Sequence, residues 1–223
     1  MIEGWLTDAQ AARLRSAAAR SSGTAVEIGS FRGKSTVVLA SETPVTAIDP
    51  HAGSDRGPQE IAADAARGDA DFDAFHANLR AAGVEDRVRH VRKFSADALE
   101  DVVGPISLLY VDGAHRFGPA RADLVQWGGR VVPGGTMLVH DAFSSIGVTL
   151  ALFAVCLSGE WRYVGRTGSL AEYRREPARH QLMAHVRELP WFARNVAIKV
   201  LVVAGRRRWA ERLGLAPDAP WPY

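Results

Sequence analysis

The stretch "VEIGSFRGKST", residues 26–36, decides the fold that we expect, because it joins an apolar run to a glycine turn and a helix start. Its letters Gly-Lys-Ser also close a phosphate-binding P-loop, which requires a glycine five residues before Gly33. That position holds Ile28, and Gly29 lies one residue too near for the loop to close around phosphates. The stretch therefore predicts a strand, a tight turn and a helix, the geometry of a nucleotide-type cofactor site.

Short apolar runs alternate with helical stretches on both sides of this turn. A capping box formed by Thr7 and Gln10 predicts a first helix over residues 8 to about 20. The expected strands are residues 25–28, 45–48, 88–92, 106–111 and 136–140. The expected helices lie near residues 33–41, 59–67, 71–82, 95–102 and 116–127. This alternation is typical of right-handed βαβ units in a parallel, doubly wound α/β sheet.

The segment "WRYVGRTGSLAEYRR", residues 161–175, has a different pattern, because two polar-alternating runs flank a central Thr-Gly. It predicts an antiparallel hairpin at the edge of the sheet. We therefore expect a domain of residues 1–176 on a Rossmann-like, seven-stranded doubly wound sheet that is mostly parallel. A basic helical extension, residues 177–223, would follow it. The Gly/Asp-rich segment 51–73 would form either a flap over a site or an ordinary surface loop.

Length and composition limit the class of protein. The 223 residues suit a single core, and 47% hydrophobic with 23% charged residues is ordinary for a globular chain. The single cysteine, Cys156, can form no internal disulfide, which favours a reducing compartment. The N-terminus lacks a basic segment followed by a long apolar run. We therefore expect a cytoplasmic protein.

The net charge of +2 conceals an asymmetry. Residues 1–173 carry 17 Lys and Arg against 21 Asp and Glu, whereas residues 174–223 carry 10 against 4. This tail lacks the interleaved aromatic and basic residues of a base-stacking surface, so we expect no nucleic-acid partner. Its apolar stretch, residues 196–204, is too short to span a bilayer. It either makes peripheral membrane contact or packs against the domain or a second subunit, and we expect packing and a homo-oligomer.

In an open α/β sheet, ligands bind beyond the carboxyl ends of the strands. Most of these ends carry an acid or a histidine: Glu27, Asp49, Asp112, His140 and Asp141. Asp49 lies 20 residues after Gly29, the interval at which an acid on the second strand accepts hydrogen bonds from a ribose diol. The pair predicts a ribose-bearing cofactor, with a purely structural capping role for Asp49 as the alternative.

Residues elsewhere in the chain indicate which class of ribose-bearing cofactor to expect. A short-chain dehydrogenase is expected to have a Tyr-x-x-x-Lys pair, and none of the four tyrosines has a lysine four residues on, which disfavours hydride transfer. Asp112 and Asp141 follow adjacent strands, and two carboxylates brought close together are costly unless a cation lies between them. Hard oxygen ligands favour Mg²⁺.

Five ordered blocks give the chain a resemblance to a known family. They are "VEIGSFRGKST", "AIDPHAG", "FHANLRAAGVEDRV", "ISLLYVDGAHRFGPARADLVQW" and "VVPGGTMLVHDAFSSIGV". Over residues 3–175 the chain resembles the class I S-adenosylmethionine-dependent methyltransferases. It is most similar to the metal-dependent bacterial O-methyltransferases that include macrolide sugar enzymes such as macrocin O-methyltransferase. The resemblance implies methyl transfer to a hydroxyl of a sugar or glycoside, a small-molecule or oligosaccharide acceptor, with Mg²⁺ or another divalent cation.

The resemblance also implies roles for single residues. The implied cofactor-binding set is Glu27, Gly29, Ser30, Gly33, Ser35, Asp49, Ser95, Ala96, Asp97 and Asp112. The loop after the first strand matches the methionine end, Asp49 the ribose, and residues 95–97 the adenine. Asp112 and Asp141 match metal ligands, and His115 matches the general base of the sugar methyltransferases. Catechol-type relatives have a lysine there, so His115 indicates sugar hydroxyls rather than phenols.

His140 departs from the family pattern, in which two adjacent acids often follow the fifth strand. An imidazole there implies a softer metal or a further water ligand, or else an auxiliary base or a substrate contact. We therefore count His140 with His115 among the candidate catalytic residues. Three alternatives remain: an O-methyltransferase of a phenol or polyketide, a non-catalytic S-adenosylmethionine-binding protein, and a P-loop-like hydrolase, against which the glycine spacing argues.

Overall fold

The computed structural model describes residues 2–54, 62–179 and 181–216, and its centre is a seven-stranded sheet. The strands are β1 (Ala25–Ile28), β2 (Val45–Ile48), β3 (Val88–Val91), β4 (Ile106–Val111), β5 (Val131–Val139), β6 (Trp161–Thr167) and β7 (Leu170–Arg175). Their order is β3-β2-β1-β4-β5-β7-β6; the first five are parallel, and β7 is antiparallel to β5 and β6. The expected doubly wound sheet with an antiparallel edge hairpin is confirmed.

Helices cover both faces of the sheet. Those described are α1 (Asp8–Ala19), α2 (Lys34–Ala40), α3 (Ala65–Ala81), α4 (Phe117–Gln126), α5 (Ile146–Cys156), α6 (Gln181–Val186), α7 (Leu189–Val203) and α8 (Arg207–Arg212). The predicted capping box is present at α1: the Gln10 amide N–H donates to the Thr7 hydroxyl, and Thr7 N–H donates to the Gln10 side chain. The capping box thereby satisfies two backbone N–H groups at this helix start, those of Thr7 and Gln10.

The hydrophobic core lies on both faces of the parallel strands, because successive side chains of a strand point to opposite sides. In β4, Leu109 and Val111 join one buried cluster, whereas Leu108 and Tyr110 join the other. Burial on both faces explains why this strand is apolar throughout instead of alternating. Strand β4 pairs in parallel with β1, Ile28 opposite Val111, so the carboxyl ends of these two buried strands lie side by side.

The region after β2 differs from the expectation of two helices at 59–67 and 71–82. Residues 59–61 lie outside the described part, and one continuous helix, α3, begins only at Ala65. The Asp64 side chain caps it by accepting a hydrogen bond from Arg67 N–H. Gly68, which lies between the two expected helices, is within α3 and lets the loop after β2 approach: a Cβ there would lie 2.0 Å from the His51 carbonyl oxygen.

Two further boundaries were predicted wrongly. The expected helix at 95–102 is only a 3₁₀ turn over Ser95–Asp97. In the segment that follows, the Arg130 guanidinium donates hydrogen bonds to the carbonyls of Leu99 and Val102. Strand β5 begins at Val131, not at residue 136. The Pro-Gly-Gly within it is accommodated by a register shift in its pairing with β4.

Helix α7 joins the C-terminal part to the main core: Trp191 and Phe192 pack against that core, and Ile198 packs with Ala210 and Leu215 in a smaller cluster. None of the described helices is both long and apolar enough to cross a membrane. The division into a domain ending at residue 176 and a separate extension stays a prediction.

Candidate active site

A cavity of about 590 Å³ lies beyond the carboxyl ends of the parallel strands. Its wall includes the loops after β1 to β5, namely residues 28–31, 48–54, 94–97, 112–116 and 140–141. The N-terminal residues 3–6 contribute as well. The strand order reverses between β1 and β4, which is where open α/β sheets form their ligand crevice. The volume is within the range of small-molecule sites.

The glycine turn after β1 brings two loops into contact. Gly29 has φ of 83°, and a Cβ there would lie only 2.1 Å from the Asp112 carbonyl oxygen. The positive φ and the absent side chain are both needed, so no other residue fits without moving the loop after β4. Ser30, predicted in the same turn, also lies in the cavity wall.

Asp49 holds this turn in place. One carboxylate oxygen accepts hydrogen bonds from the backbone N–H groups of Ser30 and Phe31, at 2.9 and 2.8 Å. The other accepts one from His51 N–H at 2.7 Å. The side chain is 17% exposed and lines the cavity, and the oxygen that accepts only the His51 N–H retains acceptor capacity for a ligand. The structural role that we left open for Asp49 is therefore present together with a position suited to ligand binding.

Glu27 and Gly33 lie behind the cavity wall rather than in it. The Glu27 carboxyl group is fully buried and accepts hydrogen bonds from the hydroxyls of Ser35 and Thr36, both at 2.5 Å. Burial raises the pKa of Glu27 to about 8, although these two hydrogen bonds lower it. At Gly33 a Cβ would lie 3.1 Å from the Phe75 ring. Glu27 and Gly33 thus support the loop beneath the cavity. Ser35, which was also predicted to bind the cofactor, does line the cavity.

The turn after β3 carries Ser95, Ala96 and Asp97, and all three line the cavity as expected for a base-binding turn. Sequence reasoning missed their neighbour Asp123 in α4, which accepts a hydrogen bond from the Ser95 hydroxyl at 2.5 Å. Burial raises the pKa of Asp123 to about 6. The sequence did contain a sign of this role, because Asp123 is an acid on the same helical face as the apolar Ala120 and Leu124.

Two acids and two histidines meet where β4 and β5 end. His115 Nε2 lies 3.0 Å from Asp141 Oδ2, and His140 Nδ1 lies 3.3 Å from Asp112 Oδ1 and 3.4 Å from Asp141 Oδ2. The Tyr110 hydroxyl donates to the other Asp112 oxygen at 2.9 Å. The structure therefore brings together all four residues that the sequence singled out at these strand ends.

The charges of this cluster are strongly coupled. Burial alone would lower the pKa of His140, but the charge and hydrogen bond of Asp112, with those of Asp141, raise it to about 10. Burial likewise opposes protonation of His115, and its hydrogen bond with Asp141 and the charge of that acid raise its pKa. Burial would raise the pKa of Asp141, yet its hydrogen bonds to His115 and His140 hold it well below the usual range. The imidazoles supply the positive charge that the paired carboxylates require.

The same cluster fits a divalent cation. Asp112, His115 and Asp141 each offer one ligand atom, and these atoms lie within 4.8 Å of one another. Mg²⁺ is commonly held by one or two carboxylates with water and substrate filling the remaining positions. The two acids alone meet that requirement, which leaves His115 beside the site as a candidate proton acceptor.

The loop that carries Asp141 has an unusual backbone. Asp141 has φ of 54° and Phe143 has φ of 55°, in the left-handed region that non-glycine residues seldom occupy. Such conformations cost about 1–3 kcal/mol each and persist only where the surroundings impose them. The position of the Asp141 carboxylate is therefore imposed by packing around this loop.

Comparison with known proteins gives one family match and several structural relatives. The sequence profile of a family described as "Methyltransferase domain" matches residues 26–142, more than half of the chain. No curated protein sequence matches significantly.

Three solved O-methyltransferases share the fold. TomG of Streptomyces achromogenes, involved in tomaymycin synthesis and solved with S-adenosylmethionine, has 18% identity and a TM-score of 0.57, covering 77% of this chain and 82% of its own. NovP has 16% identity and a TM-score of 0.61, covering 75% and 80%. A Bacillus cereus O-methyltransferase solved with S-adenosylhomocysteine has 16% identity and a TM-score of 0.56, covering 77% and 83%. At these identities the likeness establishes the fold.

Proposed function

The chain belongs to the methyltransferase-domain family, and from that premise we propose that it is a metal-dependent O-methyltransferase using S-adenosylmethionine. The proposed acceptor is a hydroxyl group of a sugar or glycoside. The observation that carries the proposal is the meeting of Asp112, His115 and Asp141 at the cavity. Paired carboxylates suit a cation, and an adjacent imidazole suits removal of a hydroxyl proton.

The loops after β1, β2 and β3 support the proposal that the methyl donor, S-adenosylmethionine, binds in this cavity. The glycine turn, the Asp49 carboxylate and the turn at Ser95–Asp97 line one continuous cavity at the switch point of the sheet. Two structural relatives were solved with S-adenosylmethionine or S-adenosylhomocysteine, which supports this donor. We therefore propose that the methionine, ribose and adenine portions lie along these three loops in that order.

We predict that Asp49→Asn weakens S-adenosylmethionine binding by roughly tenfold or more, measured by isothermal titration. The amide would retain one acceptor for the three N–H groups that Asp49 now holds, and its NH₂ would face a donor. Asp86→Asn, an exposed acid away from the cavity, is the matched control. An Asp49→Asn protein that binds with wild-type affinity would show that this carboxylate does not organise the donor site.

The transfer chemistry follows from the charges. When bound, a divalent cation held by Asp112 and Asp141 would lower the pKa of the acceptor hydroxyl. The cation would also supply the positive charge that His115 provides beside Asp141 in its absence. The His115 imidazole would then be neutral and could accept the hydroxyl proton as the oxygen attacks the methyl carbon. The new O–C bond forms, the S–C bond breaks, and its electron pair remains on sulfur, so that the sulfonium becomes a thioether. The chain contributes orientation of the two reactants and removal of the proton.

We assign His140 a different role from His115. Its side chain is 1% exposed and lies between the two acids, whereas His115 is 26% exposed. A group so enclosed is poorly placed to receive a proton from an incoming acceptor. We propose that His140 orients the carboxylates of Asp112 and Asp141 instead of acting as the auxiliary base.

The acceptor class rests on His115 and on the remainder of the wall. His115 stands where, by the family resemblance, catechol-type relatives have a lysine, which favours a sugar hydroxyl over a phenol. The N-terminal segment adds the Trp5 ring, 5.2 Å from that of Phe31, together with the Glu3 carboxylate. Aromatic faces beside polar groups suit a ligand that is apolar on one side and hydroxylated on the other.

The deciding experiment is titration of S-adenosylmethionine into the protein with Mg²⁺ and with a chelator, followed by a methyl-transfer screen over glycosides, phenols and polyketides. We expect donor binding in both conditions, because most of the proposed donor contacts come from the loops after β1, β2 and β3, which do not carry the proposed metal ligands. We expect transfer to a glycoside only with metal. Transfer to phenols alone would show that the acceptor is a phenol and not a sugar hydroxyl. Donor binding without any transfer would favour a non-catalytic protein, and absence of donor binding would overturn the proposal.

Other expectations stay predictions: a homo-oligomer, a cytoplasmic location, and the choice between packing and membrane contact for the basic tail. Sedimentation of the purified protein, alone and with anionic vesicles, tests the first and the last of them.

A further inference from the structure

We propose that Asn195 and Lys199 of α7 are positioning residues for the metal site, because they hold the backbone of the loop that presents Asp141. The proposal rests on the function proposed above and gives the C-terminal helix a part in that site. Neither residue lines the cavity, so both act through the loop.

The two residues make one continuous contact with the loop. Asn195 Nδ2 donates to the Phe143 carbonyl at 3.2 Å, and Lys199 Nζ donates to the Ser144 carbonyl at 2.8 Å. Being four apart, they project from the same face of the helix. Successive carbonyls of the loop are thus bound by successive turns of α7.

The loop needs these partners because it is buried and left-handed. Phe143 and Ser144 are 0% and 1% exposed, so their carbonyls lack water and require a protein donor. Asp141 and Phe143 both have positive φ, which packing must impose. On its other side the loop is held by Ala142 N–H, which donates to the Ser169 carbonyl at 2.9 Å. The loop after β5 is therefore hydrogen-bonded to the edge hairpin on one side and to α7 on the other.

Asn195 is itself well anchored. Its side chain is fully buried, and its Oδ1 accepts a hydrogen bond from Arg194 Nη1 at 3.0 Å. Arg194 in turn donates to the carbonyls of Leu213 and Gly214, beyond α8. The extension thus reaches the loop as a connected set of hydrogen bonds.

The test is titration of Mn²⁺ alone, with S-adenosylmethionine affinity and thermal midpoint measured beside it. We expect Lys199→Met and Asn195→Leu each to weaken Mn²⁺ binding by roughly tenfold, because a buried carbonyl loses its donor and the loop relaxes. Donor affinity should change less than about twofold, since neither residue lines the cavity where the donor is proposed to bind. Lys199→Arg, which retains a cationic donor, should recover most of the Mn²⁺ affinity.

Arg175→Met is the matched control. The Arg175 guanidinium also binds backbone carbonyls, those of Gly129 and Val131, but it does so away from the cavity. This variant should lower the thermal midpoint without changing Mn²⁺ affinity.

Wild-type Mn²⁺ affinity in a folded Lys199→Met protein would overturn the proposal. Lys199 is only partly buried, so Lys199→Met is the variant that tests the proposal if Asn195→Leu does not fold. An equal loss of Mn²⁺ and donor affinity would also overturn it, because that pattern indicates general destabilisation. Failure of the wild-type protein to bind Mn²⁺ would instead refute the metal site itself, and the positioning role with it.

Discussion

Asp141→Asn is expected to abolish metal-dependent methyl transfer, with turnover falling by about 10³-fold. The Asp141 carboxylate contacts both His115 and His140, and removing its charge leaves Asp112 as the single acid for the cation. Asparagine is a better test than alanine because Asp141 has φ of 54°, and asparagine tolerates this conformation. The variant should fold and bind S-adenosylmethionine, so the loss is specific to metal binding and transfer.

Two observations accompany this variant. Mn²⁺ titration should show binding to wild-type protein and much weaker binding to Asp141→Asn, while Asp86→Asn behaves as wild type. Adding a strong chelator to the wild-type enzyme should reproduce the defect. Full activity under chelation would contradict the metal-dependent mechanism, whatever the behaviour of the variant.

His115→Gln is expected to lower turnover by about 10²- to 10⁴-fold, the usual contribution of a general base. Glutamine retains a polar group near Asp141 and cannot accept the hydroxyl proton. S-adenosylmethionine affinity should remain within about twofold of wild type, because the donor contacts of the preceding loops do not involve this side chain. His76→Gln, a partly exposed histidine paired with Glu85, is the control.

The same variant separates a base from a ligand. His115 lies close enough to both acids to be counted with them as a potential metal-binding atom. If Mn²⁺ affinity is unchanged in His115→Gln and only turnover falls, His115 acts as the base. A large loss of Mn²⁺ affinity would make it a ligand, and a loss of donor affinity would contradict either role.

Some features could be read directly from the sequence. The strands at 25–28, 45–48 and 106–111 were predicted with the bounds that the structure has, because each is a short apolar run bounded by turn residues. Their carboxyl ends necessarily share one edge of a parallel sheet, so Asp49 and Asp112 could be assigned to one site. Asp141 could be added because it follows the next predicted strand, whose end was nearly correct although its start was not. The capping box of α1 was equally local, since it depends on residues three apart.

Other features depended on contacts that no local pattern encodes. The segment expected to form a helix at 95–102 has carbonyls bound by Arg130, some thirty residues away, and Asp123 enters the site from α4. Glu27 was assigned to the cavity on its position at a strand end, yet its side chain turns beneath α2 to Ser35 and Thr36. Strand position determines which end of the sheet a residue occupies, but not the side to which its side chain turns.

The sequence by itself determined the sheet, the cavity edge and the residue types that meet there, because periodicity, glycine turns and strand ends are local properties. Only the tertiary structure decided which side chains face one another. Asn195 and Phe143 are 52 residues apart, and their hydrogen bond exists because α7 folds back over the loop. The strained conformation of Asp141 depends on such long-range packing, which compensates a local cost that the sequence around Asp141 does not reveal.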